Sequence, residues 1–115
     1  MRHVAVLAVT LALAGAAGAG TVRSGLYGTV LRGPTAPVCA AEQSCTAPAA
    51  GAVLTFVRNG VAAGHVTVAA DGSYRLRLPP GLYAVRVGKR IEPATVRVVP
   101  LRMRRVAFMI DTGIR

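Results

Sequence analysis

The chain has 115 residues, rich in glycine (13) and proline (7), with no tryptophan and only 4% aromatic residues. That length holds one small domain, and its glycine and proline content works against helices. Fourteen basic residues against four acidic ones give a net charge of +10, which excludes calcium cages built from carboxylates and favours anionic partners.

Arg2 and His3 precede a continuous apolar run, Val4 to Ala14, followed by Ala17-Gly18-Ala19. This is the layout of a signal peptide cleaved after Ala19. Residues 1–19 are therefore expected to be removed, 20–24 to form a flexible lead-in, and 25–115 to fold as one domain. The run falls short of the about 20 apolar residues that span a bilayer, and an uncleaved N-terminal anchor is the alternative. After cleavage no transmembrane helix is expected, and the location is the cell envelope or the medium. The remaining 96 residues carry +9, and 12 of their 13 basic residues are arginine.

The mature chain alternates with period two, the sign of half-buried strands. Leu26, Gly28 and Val30 share one face, with Tyr27, Thr29 and Leu31 on the other. The stretch 33–51 holds three prolines and both cysteines and reads as an irregular loop. Export places Cys39 and Cys45 in an oxidising compartment, so a disulfide is expected. It staples the loop and leaves the core unbraced.

Ala52, Leu54 and Phe56 then alternate with Val53, Thr55 and Val57. Asn59-Gly60 marks a type I′ hairpin turn, since both central residues tolerate positive φ. The strand returns over Val61–Ala69, and Asp71-Gly72 makes a second tight turn. Tyr74, Leu76 and Leu78 face inward while Ser73, Arg75 and Arg77 face out, so this strand lies in a sheet with one wet face. Pro79-Pro80-Gly81 turns the chain again. Tyr83, Val85 and Val87 point in, 88–93 is a polar loop, and Val96 and Val98 begin a strand that Pro100 ends. Val106, Phe108 and Ile110 share the inner face of the last. Seven short strands with turns about every ten residues predict an all-β sandwich of Greek-key, Ig-like topology.

The run Asp71-Gly72-Ser73-Tyr74, its alternating continuation to Leu78, and Pro80-Gly81-Leu82-Tyr83 resemble the core of carboxypeptidase regulatory-like domains. Gly28-Thr29-Val30 and Pro48 to Leu54 are similar to that family's first strand and the lead into its second. The resemblance implies a seven-stranded prealbumin-like sandwich, of the superfamily that includes collagen-adhesin B-type modules, over Gly25 to Ile110. It is nearly silent on function, because such modules serve many unrelated proteins. Tyr74 and Tyr83 are expected in the core, near one another, with their hydroxyls partnered.

Adhesin B-type modules close an isopeptide bond from a first-strand lysine. The one lysine here, Lys89, lies in a late loop, so that bond is not expected. Starch-binding relatives stack sugars on tryptophan, absent here, which leaves a carbohydrate-binding module as a secondary alternative. Transthyretin-like hydrolases need clustered histidines, and the mature chain has His65 alone.

Residue by residue, catalysis finds little support. Asp111-Thr112-Gly113 matches the aspartic-protease triplet but stands too late to be followed by a flap, and reads instead as a frayed strand end. His65 has no partners at metal-ligand spacing. Ser73 beside Asp71 lacks an activating histidine. No enzyme activity, metal or cofactor is expected.

The arginines remain. Arg75 and Arg77 share one face of a strand, Arg86 lies on the outward phase of the next, and Arg97, Arg102, Arg104 and Arg105 cluster near the C-terminus. Aligned strands would make them a stripe that accepts phosphate or carboxylate groups. The plain alternative is a solvated sheet face that discourages aggregation. The expected partner is an anionic envelope polymer, a lipid surface or another exported protein. Nucleic acid is disfavoured by export and by the lack of interleaved exposed aromatics. A structural module that pairs through an edge strand is the main alternative.

Overall fold

The computed structural model of the protein describes residues 23–41 and 44–114. The signal segment expected over 1–19 lies outside the described residues. Ten strand segments stand among them where the alternation predicts seven: β1 (Gly25–Gly33), β2 (Ala47–Pro48), β3 (Val53–Arg58), β4 (Val61–Thr67), β5 (Ser73–Arg77), β6 (Gly81–Arg86), β7 (Ile91–Glu92), β8 (Thr95–Val98), β9 (Met103–Arg105) and β10 (Phe108–Asp111). The additions are β2, β7 and β9, short pairings in stretches whose proline and charge content masks any alternation. No helix forms among the described residues.

The strands make two sheets. In the first, β1 is the axis. Its N-terminal half pairs with β5 antiparallel and β9 parallel; its C-terminal half pairs with β2 antiparallel and β10 parallel. β7 lies beyond β10. The second sheet runs β4-β3-β6-β8, antiparallel throughout. Parallel pairing with the end of the chain is invisible to alternation, which fixes a strand's faces but not its neighbours.

The inward phases read from the sequence are those that bury. Leu26 and Val30 meet Leu54 and Phe56, Tyr74 and Leu78, Tyr83 and Val85, and Phe108 and Ile110 in one shared core. Each such side chain contributes roughly 1.5–3 kcal/mol of burial. Phe108 of the first sheet lies 6.2 Å from Phe56 of the second, ring centroid to ring centroid, and joins the two layers.

Local geometry follows the turn residues. Asn59 and Gly60 adopt φ of 53° and 76°, as a type I′ turn requires, and close the β3–β4 hairpin. Gly72 has φ of 90°, and a Cβ there would come within 3.2 Å of both Pro48 and the Val30 carbonyl. Only glycine suits both that conformation and that space.

Two expectations change. Pro79-Pro80-Gly81 is a crossing between sheets and not a hairpin, since β5 pairs with β1 while β6 pairs with β3 and β8. Tyr74 and Tyr83 therefore stand in opposite layers, and the ring beside Tyr74 is Phe108, at 5.6 Å. Both hydroxyls are partnered. Tyr74 donates to the Val106 carbonyl (2.6 Å), at the break between β9 and β10, and Tyr83 donates to the Pro79 carbonyl (2.6 Å). The loop of 33–51 is also less irregular than its composition implies. Ala49 is buried and its N–H donates to the Val30 carbonyl, so the segment after Cys45 is part of the first sheet's edge. Ser24, within the lead-in of 20–24, is buried and exchanges hydrogen bonds with Leu78.

Cys39 and Cys45 form a disulfide, with Cα atoms 5.8 Å apart. The bond fits an oxidising, extracytoplasmic environment. Among the described residues no helix is long and apolar enough to cross a membrane.

Candidate anion-binding face

The face begins at a turn. The Ser73 hydroxyl (2.7 Å) and backbone N–H (2.9 Å) both donate to Asp71 Oδ1. These bonds, the hydroxyl's first, hold the Asp71 carboxyl below the usual aspartate range. They also fix the start of β5, whose outward phase is Ser73, Arg75 and Arg77.

Register then decides which side chains lie beside them. Tyr27 stands opposite Arg75 across the β1–β5 pair and opposite Arg105 across the β1–β9 pair. Directly opposed residues share a face, at about 4.8 Å per strand step. The result is a row, Arg75–Tyr27–Arg105, across three strands of the first sheet. The next row is Arg77–Gly25–Met103. The Arg75 guanidinium carbon lies 5.9 Å from the Tyr27 ring centroid, within cation–π range. Tyr27 is 37% exposed, so its ring is available on the same surface.

The seven arginines singled out from the sequence do not form one stripe. Arg75, Arg77 and Arg105 belong to the outer face of the first sheet. Arg86, opposite Thr55, and Arg97, opposite Leu82, lie on the outer phase of the second and so on the far side of the molecule. Arg104 shares the phase of Leu26 and donates to the Arg97 carbonyl (2.7 Å), which ties β9 to β8 across the open side of the layers. Arg102 is exposed just before β9, where its carbonyl accepts the Gly25 N–H. The chain switches sheet at every connection from β4 to β9, so arginines on successive strands face opposite ways.

One member of the row, Tyr27, escaped the sequence reading, and Arg105 stood among the basic residues without its neighbours. Tyr27 is on the outward phase of β1 in the sequence, but its arginine neighbours require the strand order. Arg105 belongs to β9, whose pairing no alternation announces. The lack of interleaved exposed aromatics, used against stacking, is corrected at this one position.

The remaining candidates fall elsewhere. His65 is exposed on β4 opposite Thr55, and among the described residues no three histidine, cysteine or acidic side chains converge as a metal site. Asp111-Thr112-Gly113 is pinned and not frayed. Asp111 Oδ1 accepts the Gly113 N–H (2.8 Å), the Thr112 N–H donates to the Gly33 carbonyl, and the Thr112 hydroxyl donates to the Pro34 carbonyl (2.7 Å). Comparison of the chain with protein-family models, curated proteins and solved structures finds no match.

Proposed function

We propose that the protein is a non-catalytic, exported β-sandwich module that binds an anionic polymer of the cell envelope through the outer face of its first sheet. The observation that carries this reading is the row Arg75–Tyr27–Arg105. Two planar guanidinium groups on either side of an exposed ring suit phosphate or carboxylate groups that repeat along a chain. The net charge of +9 on the mature chain brings the polymer in, and the row orients it. The disulfide and the N-terminal sequence of 1–19 support export. The Asp71-Gly72-x-Tyr74 and Pro80-Gly81-x-Tyr83 motifs, with both hydroxyls satisfied, support a sandwich of the carboxypeptidase regulatory-like, prealbumin-like type.

The test uses the oxidised mature protein on immobilised linear polyphosphate, with salt elution. Two double variants remove equal charge, R75Q/R105Q from the first sheet and R86Q/R97Q from the second. Exposed ion pairs give up to about 1 kcal/mol each, so the first variant should bind more weakly by up to about thirtyfold at low salt. The second should bind nearly as the wild type does. Equal losses would mean that net charge alone drives retention and would remove the assignment of a face.

A second reading rests on β4. Its seven residues carry no lysine, arginine, acid or proline, and among the described residues β3 is its one sheet partner. Edge strands without such blocks accept another strand. Proline at Ala63 abolishing assembly with an exported protein, at any salt, would favour this reading.

A further inference from the structure

The inner phase of β1 runs Leu26, Gly28, Val30 and then Arg32. A charged residue thus takes the place where the core pattern calls for an apolar one. Arg32 stands opposite Ile110 of β10 and Ala47 of β2, at the end of the layers where the disulfide loop and the C-terminal turn meet. The sheets do not close there. A cleft of about 470 Å³ opens between them, floored by Ala49, Ala52, Val87 and Ile110, with Arg32 and Lys89 on its wall. Ala49 and Ile110 are buried, and Ala52 and Val87 pack against the core.

The lining pairs two cations with an apolar floor and no acid. Among the described residues neither Arg32 nor Lys89 has a hydrogen-bond or ion-pair partner, while Asp111, the carboxylate beside the rim residue Thr112, accepts the Gly113 N–H. The Thr112 hydroxyl on the rim is already engaged, donating to Pro34 and accepting from Ile114. The volume lies in the range of small-molecule sites, roughly 300–1,000 Å³. It is too small and too apolar for a folded polymer.

We infer that this cleft is a binding site, separate from the arginine–tyrosine face, for a small amphiphilic carboxylate. The head group lies between Arg32 and Lys89, and a medium-length acyl tail lies along Ala49, Val87 and Ile110. Charge complementarity selects the anion: a neutral or cationic tail of the same length meets the same floor and forfeits the charge-assisted hydrogen bonds. The sequence carries the sign of the site as a break in phase, an arginine two residues after Val30 where a core strand ought to continue.

Backbone amide NMR of the oxidised mature protein tests the inference, with octanoate, octanol and octylammonium as probes. Octanoate should shift Ala49–Val53, Val87–Lys89 and Ile110–Thr112 saturably, and octanol and octylammonium should bind at least about tenfold more weakly. R32Q/K89Q should weaken octanoate by at least the same factor while keeping the dispersed spectrum of the folded domain. Octanoate binding no tighter than octanol, binding unchanged in R32Q/K89Q, or shifts at Tyr27, Arg75 and Arg105 would each overturn the site. So would the absence of saturable shifts at these three segments.

Discussion

Replacing Phe108 with alanine removes the ring that joins the two layers. The side chain is 2% exposed and lies 5.6 Å from Tyr74 in its own sheet and 6.2 Å from Phe56 in the other. Phe→Ala in a packed core costs about 3–5 kcal/mol, transfer and cavity terms together. A domain of this size has a total stability of roughly 5–14 kcal/mol, so the variant should stay folded but lose much of its margin. With a guanidinium slope of roughly 2.5 kcal/mol/M, a loss of about 4 kcal/mol moves the midpoint down by about 1.5 M. The neighbouring Met109→Ala is the control. Met109 is 39% exposed on the outer phase and should cost no more than about 0.5–1 kcal/mol. Equilibrium unfolding followed by tyrosine fluorescence reads both. Equal shifts, or a larger one for Met109→Ala, would refute the phase of β10 and with it the register of Val30 against Phe108.

Three further outcomes follow from the geometry. Burial pushes the Tyr74 hydroxyl above the usual tyrosine range, and its neutral form is the one that donates to Val106. Its contribution is therefore complete below an unfolded value of about 10 and declines as pH rises towards the higher folded value; Tyr74→Phe should cost about 1 kcal/mol and remove the last phase of tyrosinate absorbance, and an unchanged alkaline titration would count against the buried hydroxyl. Ser73→Ala removes the main cause of the low Asp71 pKa, so the carboxyl should titrate nearer the ordinary aspartate value by carbon NMR. In the wild type the Asp71 contribution is present above the unfolded value and is lost as pH falls through the lower folded one, and an unmoved titration would mean that the hydroxyl bond is not formed in solution. Converting Cys39 and Cys45 to serine opens a seven-residue ring worth about 2 kcal/mol, a fall in Tm of roughly 8–16 °C, with polyphosphate binding unchanged; loss of binding would tie the loop to the working face.

The parts of the fold legible in the sequence are those that a single strand settles by itself. Tyr74, Leu76 and Leu78 alternate with Ser73, Arg75 and Arg77 because one side of β5 meets the core and the other meets water. Asn59-Gly60 and Gly72 announce turns because few other residues accept their positive φ angles. What stayed hidden depends on which strands become neighbours. Pro79-Pro80-Gly81 looks like a hairpin turn and instead carries the chain from one sheet to the other. That crossing puts Arg86 on the opposite face from Arg75. The partnership of Tyr27 with Arg75 and Arg105 depends on β9 running parallel to β1, a pairing between distant segments with no local signature. Arg32 was within reach, since its phase is that of Leu26 and Val30, but its meaning needs the open end of the layers.

The most direct test of the central claim is backbone amide NMR of the wild-type mature protein titrated with linear polyphosphate. A working face on the first sheet predicts saturable shifts at Tyr27, Ser73, Arg75 and Arg105, with Thr55, Arg86 and Arg97 left in place. Shifts centred on Thr55, Arg86 and Arg97, or spread evenly over every arginine, would contradict it.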